Sequence, residues 1–314
     1  MTVYSIQTRL ANILSVLDGL KRAKKILKRF RPLPPPSPAQ KPVNFNQKDL
    51  SPTGLQNDIS YAVQVAKNYL QFIQDNQIKI ENKVLLEVGP GINFGSILIL
   101  ACFGAKVMAA DRFLTPWDKE YHPKFYGLLK DWVMENMPDA DISPIDKILS
   151  LGGYPDHVIK LFSTSLEELK GIPDDSVDVL FSIAVLEHIT SPPQAFQQIA
   201  RVSRKGAFGF HQIDFRDHRN MEQPLEFLLM EDTEFEREFE ERHGECGNRW
   251  RHWEYLELFS RVGFEIIDFL PTCFADTDYL QTFMPRMQNS LSKYTLVTVE
   301  DLKIVSGLIT VKRN

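Results

Sequence analysis

The chain has 314 residues, of which 43 % are hydrophobic and 25 % are charged, a composition typical of a globular domain with a sizeable core. The apolar stretch from Ile97 to Phe103 is far shorter than the roughly 20 residues of a membrane-spanning helix, and no signal-peptide pattern is seen, so we expect an intracellular, cytoplasmic protein. Three widely spaced cysteines predict neither a disulfide framework nor a paired zinc motif.

Charge divides the sequence into two unlike parts. Residues 1–31 carry a formal charge of about +7, which leaves about −12 for the remaining residues. Apolar residues from Leu10 to Phe30 recur at intervals of three and four, which predicts a basic amphipathic helix. Two interpretations stay open with equal weight. In the first, residues 6–31 form a peripheral contact with the inner surface of a membrane. In the second, the helix packs against the main domain or against a second subunit of a homodimer.

Prolines concentrated in residues 32–48 predict a semi-rigid linker between this helix and a main domain at 49–314. The acidic charge of the main domain argues against a nucleic-acid partner, because phosphate neutralisation requires a basic face. Within this domain, strand-like and helix-like segments alternate, which predicts an α/β fold with a mainly parallel sheet covered on both faces. The predicted strands are at 84–88, 105–110, 158–162, 177–182, 207–212, 264–270 and 303–311.

The segment KVLLEVGPGINFGSILILACFGAKVMAADRF, which starts at Lys83, predicts a nucleoside-binding site. Gly89 and Gly91 fall where the first strand turns into a helix, so the backbone there can approach a ligand closely. Asp111 falls at the end of the second strand, where a carboxylate can accept hydrogen bonds from both hydroxyls of a ribose.

Two further residues distinguish between nucleoside ligands. Phe94 occupies a position where a dinucleotide fingerprint requires glycine. Glu87 repels phosphate but suits an ammonium group. S-adenosylmethionine, which has a ribose, an amino-acid tail and no phosphate, satisfies both conditions.

Several segments resemble motifs of the class I S-adenosylmethionine-dependent methyltransferases. LLEVGPG is similar to their first motif, AADRF to their second, DDSVDVLFSIAVLEHI to their strand-four motif, and EDLKIVSGLITVKRN to their last strand. The resemblance implies a Rossmann-like fold with a seven-stranded, mainly parallel sheet and helices on both faces. The cofactor-binding residues that it implies are Glu87, Gly89, Pro90, Gly91, Asp111, Arg112, Ser165, Leu166, Ser182, Ile183, Ala184 and His188.

Two segments exceed the minimal fold and are predicted to form lids over the cofactor, at about 113–155 and 213–251. The first is rich in aromatic residues, for which packing is a more common role than ligand stacking. The second begins with IDFRDH and includes the run EDTEFEREFEERHGE, which predicts a solvated helix face.

The segment HQIDFRDH places titratable groups at the end of the fifth strand. We predict His211, Asp214 and His218 to be catalytic, with one histidine as the base that removes a proton from an oxygen nucleophile. Two alternatives stay open: a divalent cation held by Asp214, Asp217 and His218, and a purely structural network. We predict no metal site.

The resemblance implies an enzyme that transfers a methyl group from S-adenosyl-L-methionine by direct displacement. DRFLTPWDKEYHPKFY and IDFRDH are similar to segments of bacterial methyltransferases associated with glycans or secondary metabolites, which favours O-methylation of a small-molecule or glycan acceptor. N-methylation of a small molecule is one alternative. Another is a catalytically silent scaffold with this fold, recruited through its N-terminal helix.

Overall fold

The computed structural model describes residues 48–241 and 246–314. The predicted basic helix at 1–31 and almost all of the linker at 32–48 lie outside these residues, so their proposed membrane or subunit contacts stay predictions. Within the described ranges, no helix combines the length and the apolar character needed to cross a membrane.

The described residues form one seven-stranded sheet, which confirms the predicted α/β fold. The strands are β1 (Val84–Val88), β2 (Lys106–Asp111), β3 (Ile159–Ser163), β4 (Val177–Ile183), β5 (Ser203–Asp214), β6 (Phe264–Phe274) and β7 (Ile304–Arg313). They lie in the order β3-β2-β1-β4-β5-β7-β6. Pairing is parallel from β3 through β5, whereas β7 runs antiparallel to both β5 and β6. The strand order switches between β1 and β4, from β3-β2-β1 on one side to β4-β5 on the other, and such sheets bind ligands at this point.

The helices cover both faces of this sheet. They are α1 (Pro52–Asp75), α2 (Gly95–Ala101), α3 (Tyr121–Asn136), α4 (Ser143–Leu151), α5 (Pro192–Val202), α6 (Asp232–Glu241), α7 (His252–Arg261), α8 (Thr277–Gln288) and α9 (Val299–Leu302). Short 3-10 turns span Leu186–His188 and Glu226–Leu229. Helix α1 starts at Pro52, because Ser51 Oγ accepts a hydrogen bond from Gly54 N–H and Pro52 suits the first turn of a helix.

Aromatic side chains join the helices to the sheet. On one face, Tyr69 of α1 stacks on Phe181 of β4 with ring centroids 4.0 Å apart. On the other face, Phe196 of α5 packs against Phe259 of α7 at 4.4 Å. Because side chains alternate along a strand, neighbouring residues of β4 and β5 contribute to opposite cores.

A second hydrophobic core lies beyond β5 and is built by two insertions together. One follows β5 and includes α6. Phe235 and Phe239 of this helix are buried in the second core, whereas most of its other residues form the exposed face that the sequence predicts. The other, residues 275–303, lies between β6 and β7 and was not predicted from the sequence. Its helix α8 contains Pro285 in its interior, which interrupts the pattern of a regular helix.

The guanidinium of Arg251 fastens this second core to the sheet. The side chain is fully buried and donates to Phe215 O at 2.5 Å and to Ile304 O at 2.7 Å. Burial lowers its pKa to about 10. Phe215 follows the end of β5 and Ile304 starts β7, so one cation joins the point where one insertion begins to the point where the other ends.

Replacing Arg251 with alanine should therefore destabilise the protein. The change leaves two buried carbonyl oxygens without donors and opens a cavity, which together should lower the free energy of unfolding by about 2–4 kcal/mol. Urea denaturation followed by circular dichroism measures this. The control Arg261→Ala removes a side chain that is 68 % exposed, and should change stability by no more than about 0.5 kcal/mol. Equal effects of the two variants would contradict the fastening role.

Candidate cofactor and active site

The turn after β1 adopts a backbone that only glycine tolerates easily. Gly89 has φ +67° and Gly91 has φ +75°, both in the left-handed region. A Cβ built on Gly89 would lie 2.3 Å from Val185 Cγ2, so this turn touches the segment that follows β4. A Cβ on Gly91 would meet no described atom within 4 Å, so this backbone, with Pro90 between the glycines, borders open space. A ligand can approach the backbone there.

Aromatic residues of the first insertion support this turn from behind. The Nε2 atom of His122 lies 3.0 Å from Ile92 O, and the Tyr126 hydroxyl donates to Asn93 O. Both rings are fully buried. Their position favours packing over ligand stacking and fixes the peptide groups that follow Gly91.

Glu87 lies beneath the turn and is only 4 % exposed. Its carboxylate accepts hydrogen bonds from the Tyr69 hydroxyl at 2.8 Å and from Ser96 Oγ at 2.8 Å. Burial raises the pKa of Glu87 to about 7, and these two hydrogen bonds oppose the rise. The side chain is thus already engaged by neutral donors, and its role toward a ligand ammonium stays a prediction.

Asp111 ends β2 beside an open pocket. Its Oδ1 accepts from Phe113 N–H at 2.7 Å, and burial raises its pKa. The adjoining pocket has a volume of about 380 Å³, within the range of small-molecule sites. Its lining residues are Arg112, Ser163, Thr164, Ser165 and Glu168.

The neighbours of this pocket differ in their exposure. The Arg112 guanidinium lies 3.4 Å from Glu167, whereas the Leu166 side chain is buried in the core at 4 % exposure. If Leu166 contacts a ligand, it can do so only through its backbone. The glycine turn, the Asp111 carboxylate and this pocket lie at the ends of the neighbouring strands β1, β2 and β3.

The end of β4 carries the next predicted residues. Ile183 is half-buried, and Ala184 is exposed with φ +53°, a backbone conformation that is uncommon for alanine. Such strain is often found at functional sites. By contrast, the Ser182 side chain is fully buried and points away from the turn, toward α7.

His211 shares this buried position. Its ring is fully buried, its Nδ1 lies 2.8 Å from Ser182 Oγ, and its centroid lies 4.9 Å from that of Phe259. Burial lowers the pKa of His211 to about 3. The ring is enclosed between the sheet and α7, so the geometry gives no support to the predicted role of His211 as a base.

The carboxylates of Asp214 and Asp217, which follow His211 in the sequence, form ion pairs with arginines. Asp214 accepts from Arg216 Nε at 2.8 Å and from Arg216 Nη2 at 2.5 Å. Asp217 is 2 % exposed and accepts from Arg219 Nη2 at 2.6 Å. The structure thus does not form the alternative ligand set in which Asp214 and Asp217 bind a cation with His218. Asp214 lies near His218, with 3.7 Å between its Oδ2 and His218 Nε2.

His218 instead meets two residues from the turn after β4. Three residues, Glu187, His188 and His218, each offer one atom that can bind a metal, and these atoms lie within 4.8 Å of one another. We call these three residues the Glu187 cluster. Burial raises the pKa of Glu187 well above its ordinary value, with the Asp214 charge as a further cause. Burial lowers the pKa of His218 to about 4. Glu187 was missed from the sequence, although the adjacent pair Glu187–His188 after a strand was a signal.

Tyr61 of α1 lies at the same end of the sheet and was also missed. Its residue is 52 % exposed. Burial around its hydroxyl and the charges of Glu87 and Glu187 raise its pKa to about 12. The phenol therefore lies near both buried carboxyl groups while its ring reaches solvent.

The neutral burial of His211 predicts a pH dependence of stability. Below pH 6.5 the unfolded chain takes up a proton that the folded His211 does not accept until about pH 3, so stability falls as the pH falls through this window. His211→Gln should reduce the slope of unfolding free energy between pH 4 and 6 by about 1.4 kcal/mol per pH unit. Urea denaturation at several pH values measures it. His157→Gln, at an exposed histidine, should leave the slope unchanged; equal slopes in all three proteins would contradict the assignment.

Comparisons with known proteins agree with this architecture. Residues 140–210 match the family model described as a methyltransferase domain. No curated protein matches the sequence.

Solved structures similar to this chain include three methyltransferases. A candidate sarcosine dimethylglycine methyltransferase from Galdieria sulphuraria is 12 % identical, covers 87 % of this chain and 91 % of its own, and has a TM-score of 0.44. An S-adenosylmethionine-dependent methyltransferase from Mesorhizobium loti is 12 % identical, with coverages of 75 % and 93 % and a TM-score of 0.41. A geranyl diphosphate methyltransferase in complex with SAM is 14 % identical, with coverages of 83 % and 90 % and a TM-score of 0.44.

The cofactor motifs at Glu87–Gly91 and Asp111 coincide with the open strand ends of this sheet. Residues 140–210 thus match a methyltransferase domain, and these cofactor motifs resemble those of the class I S-adenosylmethionine-dependent methyltransferases.

Proposed function

We propose that this protein is an S-adenosylmethionine-dependent methyltransferase that methylates an oxygen atom of a small molecule or a glycan. The observation that carries the proposal is the position of the Glu187 cluster directly beside the cofactor turn. Val185, which a Cβ on Gly89 would strike, precedes Glu187 by only two residues. A methyl donor in the turn would therefore lie close to titratable groups that can promote loss of a proton from a hydroxyl.

The cofactor would lie across three strand ends. Asp111 would accept hydrogen bonds from the ribose hydroxyls, and the pocket beside Ser165 would receive the adenine. The open backbone at Gly91 would admit the amino-acid arm, with Glu87 beneath it. The open space at Gly91 and the pocket next to Asp111 support these placements.

The chemistry is a direct displacement. An oxygen lone pair of the acceptor forms the new O–C bond while the S–C bond breaks, and the electron pair of that bond stays on sulfur. The hydroxyl proton must also leave. Of the three residues predicted to be catalytic, His218 is the one that joins the Glu187 cluster and is partly exposed, and we assign to it the promotion of this deprotonation.

The ribose contact can be tested by Asp111→Asn. Loss of the carboxylate charge removes a charge-assisted hydrogen bond, which should weaken binding of S-adenosylmethionine by about 10- to 100-fold. Calorimetric titration measures the affinity, and Asp139→Asn at an exposed position is the matched control. Unchanged affinity in Asp111→Asn would refute the contact. Failure of the wild-type protein to bind S-adenosylmethionine at millimolar concentration would favour the scaffold alternative.

The acceptor class can be tested by transfer of a labelled methyl group to a panel of glycans, phenols, alcohols and amines. We expect label in hydroxyl acceptors, and we expect His218→Ala to lower the turnover by about 100-fold. The control His157→Ala changes an exposed histidine before β3 and should retain full turnover. Label confined to amines would replace O-methylation by N-methylation, and full activity of His218→Ala would remove its assigned role.

A further inference from the structure

We propose that Glu187, His188 and His218 bind a divalent transition-metal ion that holds an oxygen of the methyl acceptor. The metal site stands on the geometry of the cluster alone, whereas its role toward the acceptor rests on the proposed function. It revises the prediction that the chain has no metal site, and it differs from the set of Asp214, Asp217 and His218 considered from the sequence.

Two buried polar atoms of the cluster have no hydrogen-bond partner among the described residues. Glu187 is 1 % exposed, and its Oε2 is unpartnered while its Oε1 accepts from Asp214 N–H at 3.2 Å. His218 Nε2 is likewise buried without a hydrogen bond. Burying a polar atom without a partner costs about 1–3 kcal/mol, so two such atoms in one cluster indicate a missing ligand rather than a finished network.

The topology explains why these residues meet. Glu187 and His188 lie in the 3-10 turn that follows β4, and His218 lies in the segment that follows β5. The two strands are parallel neighbours, with Ser182 paired to His211, so their carboxyl ends open at the same edge. The rings of His188 and His218 lie edge to face with centroids 4.9 Å apart.

Neighbouring groups hold the proposed ligands in place. Asn248 N–H donates to Glu187 O at 2.5 Å, and Asn248 Nδ2 donates to Leu186 O at 2.8 Å, which fixes the turn. The carboxylate of Asp214 lies 3.7 Å from His218 Nε2 and is paired with Arg216 at 2.5 Å, so it is not counted among the proposed ligands. Such outer groups typically determine metal affinity nearly as strongly as the ligands.

The ligand types select the metal. Two imidazoles and one carboxylate suit zinc, iron(II), cobalt(II) or manganese(II) better than calcium or magnesium. Three protein ligands leave positions open for a substrate oxygen. Ligand atoms around one zinc ion lie about 3–3.5 Å apart, so the cluster must contract when the ion binds. A hydroxyl on such an ion loses its proton to water more easily, which is how His218 would promote deprotonation.

The test uses full-length protein without a histidine tag, stripped of metal with a chelator. Titration with Co²⁺ should give visible d–d absorption that saturates at one ion per chain, and Zn²⁺ should displace it. Glu187→Gln and His218→Ala should each weaken Zn²⁺ binding by at least about 100-fold. The control His157→Ala, at an exposed histidine outside the cluster, should bind as the wild type does.

Thermal unfolding of each variant shows whether it is folded. If Glu187→Gln does not fold, His188→Ala and His218→Ala decide the question. A wild-type protein without d–d absorption, or variants that bind Zn²⁺ as tightly as the wild type, would overturn the metal site. Calorimetry with S-adenosylmethionine on the same samples separates the two proposals. Retained cofactor binding without metal binding refutes the metal site alone, and metal binding without cofactor binding refutes the proposed function alone.

Discussion

The close approach of the Gly89 backbone to Val185 is the contact on which the rest of the site depends. Strands β1 and β4 are neighbours, with Glu87 paired to Phe181, so the segments leaving their carboxyl ends compete for the same space. They can share it only because residue 89 has no side chain, since a Cβ there would lie 2.3 Å from Val185 Cγ2. This packing places the proposed methyl-donor turn and the Glu187 cluster side by side.

Two buried carboxyl groups on either side of that contact are handled differently by the fold. Glu87 receives hydrogen bonds from Tyr69 and Ser96, which compensate part of the cost of its burial. Glu187 is more deeply buried and keeps one oxygen without a partner. Native proteins satisfy most buried polar atoms. The unpartnered oxygen of Glu187 therefore supports its proposed role as a ligand.

Local patterns predicted the strands and the glycine turn, because strand alternation, turn residues and the carboxylate at Asp111 each act within a few residues of chain. The facing of His211 could not be predicted in this way. The sequence predicts that His211 lies near the end of a strand, but not which face of the sheet its side chain occupies. That face is set by the pairing of His211 with Ser182, which directs the ring toward α7. Glu187 was missed for a related reason, since its chemistry arises only when the segment after β5 brings His218 to it.

The insertions after β5 and β6 do more than cover the sheet. They build their own hydrophobic core and are fastened to the strand ends by the buried cation of Arg251. Asn248, which belongs to the insertion after β5, holds the turn that carries Glu187 through hydrogen bonds to Leu186 O and Glu187 O. The insertion predicted to form a lid is thus joined directly to the residues proposed to activate the acceptor. Changes in its core should therefore alter the geometry of the Glu187 cluster as well as the choice of substrate, because packed elements transmit such shifts rather than absorb them.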